Sequence, residues 1–325
     1  VRHDPALAEV GPFRGLEPFD ERHRHLFFGR GAEVTAFVKR LDEEPLAPVV
    51  GASGAGKSSF VRAGVIPRLR EHGELLVLAL RPGRRPFLAL AHRLLRAQGQ
   101  GAEEGSVELA ERLAASPPRL NMALQRLAET SGKKVLLFVD QLEELFAVEA
   151  SAETRRGFLQ ALAGAADDPA VAVRVVFTLR EEFLSRAAEG LGSAALARIT
   201  VLRRPGREML LEALRRPVEA LGYRYDDSKL VDEMVDEVSE RAACLPLLQF
   251  AGQLLWEQRD RQRRELQAAP FRRGGGVAGA LARHADAVLA ELPLGWREHA
   301  RTLLLRLVSG KGTRRLLSRK RLLEG

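Results

Sequence analysis

The stretch that most restricts what this chain can become is Pro48 to Ser59, P-V-V-G-A-S-G-A-G-K-S-S. Leu46 to Val50 is a short apolar run rich in Val and reads as a buried strand. It leads at once into Gly51-Ala52-Ser53-Gly54-Ala55-Gly56-Lys57-Ser58, which fits G-x-x-x-x-G-K-[ST], and an amphipathic helix follows. Glycines at 51, 54 and 56 let the backbone fold into a tight concave loop whose N–H groups converge on an anion. The helix starting near Lys57 adds the positive end of its dipole. Lys57 can then reach β- and γ-phosphates, and the Ser58 hydroxyl can ligate Mg²⁺. Strand, loop and helix in this order predict a nucleoside triphosphate site, with Gly51, Ser53, Gly54, Ala55, Gly56, Lys57, Ser58 and Ser59 around the phosphates.

A second apolar run, Lys134 to Val139, ends on Asp140. Alone this is weak, since many strands end in an Asp that caps the next helix. Paired with the glycine loop it reads as the carboxylate that holds Mg²⁺, directly or through water. In AAA+ hydrolases a Glu that activates water usually follows this Asp. Here Gln141 follows, and the nearest acids are Glu143 and Glu144, either of which could act as the base or simply face solvent. A further apolar run, Val171 to Thr178, leads into Leu179-Arg180-Glu181-Glu182. At the carboxyl end of a parallel strand Arg180 faces the ligand crevice and reads as a γ-phosphate sensor, the alternative being a surface ion pair.

With strands also expected at Leu75 to Leu80 and Ile199 to Leu202, and helices between them, residues 46–205 predict an α/β doubly wound parallel sheet of about five strands. Residues 1–45 read as an N-terminal arm and a helix over Glu33 to Leu41. From Gly206 the pattern turns helical, over 206–221, 228–242 and 245–265, with no further strand signal; 206–272 reads as an all-α lid. Arg272 to Gly276 reads as a hinge-like linker, and two more helices are expected over 278–292 and 297–308.

Composition limits the remaining classes. The chain has 325 residues, 46% hydrophobic and 29% charged, so two or three soluble domains are expected. Its single cysteine, Cys244, excludes an internal disulfide and suits a reducing, cytoplasmic compartment. No apolar run is long enough to span a membrane, and the first thirty residues lack a signal-peptide core. The chain opens on Val rather than Met, and an upstream portion is expected. The net charge of +8 is concentrated in 259–273, net +4, and 311–325, net +5, which leaves the rest near neutral. With 6% aromatic residues and no basic stripe over the nucleotide domain, nucleic acid is not the expected partner.

Taken together these pieces resemble the STAND class of AAA+-related P-loop signalling NTPases, in particular the bacterial group fused to kinase or protease effectors and WD-repeat sensors. R-G-L-E-P-F…L-F-F-G-R at 14–30 resembles that family's N-terminal motif, which implies that Phe28, Gly29 and Arg30 lie against the nucleotide. G-A-S-G-A-G-K-S-S followed by V-R-A-G-V-I-P at 51–67 is similar to its phosphate loop and helix. V-D-Q-L-E-E-L-F at 139–146 is the most specific word, and V-F-T-L-R-E-E-F at 176–183 resembles its sensor strand. L-P-L-L-Q-F at 245–250 resembles the lid motif, which implies that Pro246 packs near the adenine; Ala243 stands where such lids usually have Gly. G-G-V-A-G-A-L-A-R-H-A at 275–285 resembles the start of a winged-helix domain over 273–325, truncated here.

The resemblance implies a switch, closed around ADP, opened by exchange for ATP with Mg²⁺, and then self-associating. The effector and sensor would lie elsewhere in a full-length chain, in bacterial defence or signal transduction. The lack of a Glu beside Asp140 predicts slow ATP hydrolysis. Adenine is favoured over guanine, because Ser228-Lys229-Leu230-Val231 is the nearest approach to N-K-x-D and lacks its Asn and Asp. One rival is a DNA-directed AAA+ ATPase of the replication-initiator type. Another is a small-molecule P-loop kinase, for which no acceptor constellation is found.

Overall fold

A computed structural model of the chain describes residues 11–323 other than 100, 102–104, 148, 149, 167, 242, 309–316 and 318. The described chain forms two compact units. One comprises Gly31–Ala52 and Lys57–Arg204; the other comprises the N-terminal residues through Arg30, the loop tip Ser53–Gly56, and the chain from Pro205 onward.

The first unit is built on a five-stranded sheet: β1 (Leu46–Gly51), β2 (Leu75–Leu80), β3 (Lys134–Val139), β4 (Val173–Arg180) and β5 (Thr200–Val201). The spatial order is β2-β3-β4-β1-β5 and every pairing is parallel. Parallel strands covered on both faces need apolar residues at most positions, which is why these segments read as continuous runs rather than alternations. The pleat divides them. Val135, Leu137 and Val139 of β3 join Val175, Phe177 and Leu179 of β4 in one core, with Phe87, Leu90 and Leu94 of α3 (Pro86–Ala97) and Phe158 of α6 (Ala152–Ala163). The opposite set, including Leu136, Phe138, Val176 and Thr178, is equally buried.

Between β1 and β2 run α1's successor elements. With α1 at Gly31–Glu43, the helix after the glycine loop, α2, begins as Lys57–Ser59, widens to a π-helix over Phe60–Val65 and resumes as Ile66–Glu71. Pro67 explains the widening. It has no N–H to give the carbonyl of Ala63 and its ring crowds that oxygen. The turn before it relaxes to a wider pitch, and the Ile66 N–H reaches back five residues to the Val61 carbonyl. Helices α4 (Ser106–Ala115) and α5 (Pro118–Ser131) fill the β2–β3 crossover as expected. β4 starts two residues later than the sequence suggests, because an Asp168 side chain accepts from the Ala170 N–H and holds 168–171 in a turn. It also runs two residues further, to Arg180, since Gly51 lies opposite for it to pair with. α7 (Leu184–Ala197) then leads to β5.

In the second unit, α8 (Arg207–Ala220), α9 (Lys229–Val238) and α10 (Cys244–Glu257) bury Leu210, Leu214, Met234, Val235, Leu248 and Leu255 together. Three details differ from the sequence expectation. The helix expected over 245–265 stops at Glu257, because R-D-R-Q-R-R offers no apolar face and Asp260 instead accepts from the N–H groups of Gln262 and Arg263. The segment thought free of strands carries β6 (Arg224–Tyr225) and β7 (Glu265–Leu266), paired in parallel. The hinge expected at 272–276 is a fixed corner. α11 (Ala268–Arg273) and α12 (Gly276–Ala290) meet there across Gly274 and Gly275, and the Glu237 carboxylate accepts from the Val277 and Ala278 N–H groups at 2.9 and 2.7 Å. α13 (Leu294–Arg306) follows. The basic Thr313-Arg314-Arg315 segment expected to belong to a winged helix lies outside the described residues. No helix among the described residues is long and apolar enough to cross a membrane.

Candidate phosphate and metal site

In the sheet unit the site gathers at the carboxyl ends of β1, β4 and β3. Gly51 ends β1 directly opposite Arg180 of β4. A side chain at 51 would force the backbone to shift, since a Cβ would lie 2.5 Å from the Leu202 carbonyl oxygen. The loop then turns through Gly54 and Gly56, whose φ angles of 77° and 84° favour glycine. Lys57 opens α2 with its ammonium donating to the carbonyl oxygens of Gly51 and Ala52 at 2.7 and 2.8 Å.

Asp140, one residue past β3, is fully buried. Its Oδ1 accepts from the Ser58 hydroxyl at 2.7 Å and from the Thr178 hydroxyl at 2.8 Å. Its Oδ2 accepts from Arg62 Nη2 at 3.1 Å. Ser58 and Asp140, predicted as a pair from segments 82 residues apart, are therefore in direct contact. The chain turns sharply after Asp140: Gln141 takes a left-handed backbone (φ 55°) and its N–H bonds the Thr178 hydroxyl. This turn separates the two acids that the sequence left open. Glu143 is buried and accepts from Arg180 Nε at 3.1 Å, whereas Glu144 accepts from the Gly83 N–H at 3.3 Å. Among the two, Glu143 is the carboxylate placed beside Arg180.

Electrostatics bind the set together. Burial pushes the Lys57 ammonium below its ordinary value, offset by attraction to Glu143 and reinforced by repulsion from Arg180. Burial raises the Glu143 carboxyl above the ordinary glutamate value of 4.5, against the pull of its own N–H, Lys57 and Arg180. Native protein thus holds the Glu143 proton more tightly than unfolded chain does. The stability this contributes is full below pH 4.5 and is lost as pH rises through the raised value. Glu143→Gln is accordingly expected to unfold at higher urea than the parent at neutral pH, with the advantage shrinking toward pH 4. Urea titrations across that range check it; an advantage independent of pH would show that Glu143 titrates alike in folded and unfolded protein.

In the second unit Arg30 and Pro246 lie against the loop tip. Arg30 is buried and its Nη2 donates to the Ala55 carbonyl at 3.0 Å. Gly54 faces Ala243 and Pro246, where an added Cβ would stand 3.2 Å from the Ala243 Cα and 3.5 Å from the Pro246 ring. Gly29 packs on Met209, and the Phe28 ring lies under the Arg216 guanidinium, 5.5 Å away. Ser53 is exposed; in the sheet unit, Ser59 is half-buried on the first turn of α2.

Two residues of the sheet-unit cluster escaped the sequence reading. Thr178 had a signal, a hydroxyl inside the apolar run Val175 to Leu179. Arg62 had another: it lies four residues after Ser58, hence on the same helix face. The donors at Ser58 and Asp140 are hard oxygens and suit Mg²⁺. Among the described residues no group of three or more His, Cys, Asp or Glu could hold a metal ion alone. A divalent ion here would therefore complete its shell with phosphate oxygens and water.

The fold has known counterparts. It is similar to a Walker-type ATPase of Pyrococcus abyssi, with TM-score 0.56 and 16% identity over 90% of this chain and 80% of that one. It is also similar to the ORC2 protein of Aeropyrum pernix, described as ADPNP–ADP complexes, with TM-score 0.57 and 13% identity over 96% of this chain and 81% of that one. Identities this low establish likeness of fold alone. No curated protein sequence matches the chain. A family model described as Novel STAND NTPase 1 does match, over residues 12–325. On that match, with the phosphate loop, its partner carboxylate and the five-stranded parallel sheet all in place, the chain belongs to the novel STAND NTPase family.

Proposed function

We propose that this NTPase module is an adenine-nucleotide switch that hydrolyses ATP slowly. The observation that carries the reading is the Arg180–Glu143 contact at the end of β4, in register with the first glycine of the phosphate loop. Loop N–H groups and Lys57 bind the phosphates. Ser58 and Asp140 would hold Mg²⁺, which when bound would neutralise phosphate charge. Arg180 has a choice of partner. With ADP it stays on Glu143; a terminal phosphate, carrying more charge, draws it away. That exchange frees Glu143 as the base, and the absence of a Glu directly after Asp140 keeps turnover slow.

By family resemblance Phe28, Gly29 and Arg30 are assigned to the nucleotide and Pro246 to its adenine, which the lack of a guanine motif favours. Self-association in the ATP state, coupled to effector and sensor domains of a longer protein in bacterial signalling or defence, completes the proposal. Size-exclusion chromatography with light scattering tests it. ADP should give a monomer and a slowly hydrolysed or non-hydrolysable ATP a larger species. Identical profiles with both nucleotides would sink the switch.

A further inference from the structure

The Asp140 carboxylate is fully buried, yet both hydrogen bonds to Oδ1 come from neutral hydroxyls. A buried carboxylate needs an opposite charge. Among the described residues the one cation at bonding distance is Arg62, with Nη2 3.1 Å from Oδ2; Arg81 Nε is 3.9 Å away on a half-exposed side chain. Arg62 belongs to the π-wound turn of α2, and its guanidinium lies 5.5 Å from the centre of the Phe138 ring.

We propose that Arg62 is the resident counter-charge of Asp140, neutralising it in the metal-free state and competing with Mg²⁺ for the same oxygen. The proposal rests on the nucleotide-site reading above. The hold is incomplete: Arg62 Nε is buried with no hydrogen-bond partner. The guanidinium is thus under-satisfied where it stands, which lowers the cost of giving up Oδ2. Room exists for the move, since Arg62 also lines a cavity of about 580 Å³ with Leu76, Leu80, Arg81 and Arg93. The competition weakens metal binding and keeps the emptied site from burying a bare charge. Mg²⁺ is thereby admitted chiefly with a nucleotide, whose phosphates supply the rest of its shell.

Two measurements on parent, Arg62→Met and Arg62→Lys test this. Calorimetry of ADP binding with Mg²⁺ and with EDTA gives the metal's enhancement of affinity. That enhancement should rise about tenfold in Arg62→Met relative to parent and by an intermediate factor in Arg62→Lys. An unchanged or smaller enhancement in either variant overturns the proposal. Thermal unfolding without nucleotide gives the counter-charge directly. Arg62→Met should lose stability in EDTA, and adding Asp140→Asn should restore it by removing the unpaired charge. A loss that Asp140→Asn does not repair marks a purely packing role and overturns the proposal. Should the parent itself bind no adenine nucleotide, the site reading fails, while the double variant still reads the Arg62–Asp140 charge pairing.

Discussion

Lys57→Ala is expected to lower affinity for ADP and ATP alike by about a hundredfold or more, the range measured when one partner of a buried charge contact is truncated. The reason lies in how the ammonium is held. Lys57 is buried, and its Nζ is fixed by two loop carbonyls, so its cost of desolvation and ordering is met by folding rather than by binding. Phosphate oxygens then gain a preorganised cation. Alanine removes it and leaves the Gly51 and Ala52 carbonyls without that donor. Folding should survive, because burial already disfavours the charged form of this lysine. Isothermal titration with a circular-dichroism melt as control checks both halves. Affinity within threefold of the parent would mean that the loop does not hold phosphate.

Arg180→Ala is expected to split the two nucleotides. ADP affinity should stay within about threefold, since Arg180 is engaged by Glu143 and not by the diphosphate in the proposed resting state. Preference for ATP should fall by about tenfold or more, and the ATP-dependent larger species should disappear. A coupling of this kind exists only if the two states differ in what Arg180 touches. Arg180→Lys keeps the charge but loses the guanidinium's fork of donors, so partial rescue of ATP preference without full assembly is expected. An Arg180→Ala protein that still assembles with ATP would remove Arg180 from the switch. The Glu143→Gln variant separates the roles, since its amide oxygen can still accept from Arg180 while losing the base.

Most of the sheet unit is legible in sequence because its constraints are local. A strand covered on both faces is apolar at most positions, so β1 to β4 stand out as runs between glycines and charges. The glycine loop is legible because the left-handed backbone at 54 and 56 strongly favours glycine. Asp140 and Arg180 follow from ending such runs. What sequence could not decide depends on distant pairing or on a single backbone turn. Glu143 and Glu144 are equivalent on paper, and the left-handed Gln141 separates them. Thr178 and Arg62 reach Asp140 across 38 and 78 residues, which periodicity cannot see. β6 and β7 are two residues each, too short for any alternation to register. The corner at 274–275 looks like a hinge because glycines suggest freedom, while the Glu237 carboxylate that pins it lies in another helix.

The most direct test of the central claim is calorimetry of the purified chain titrated with ADP, and then ATP, in Mg²⁺ and again in EDTA. The proposed function predicts one site per chain, bound in both cases and more tightly with Mg²⁺. An absence of binding heat for either nucleotide in Mg²⁺ would contradict it, and with it the roles given to Lys57, Ser58, Asp140 and Arg180.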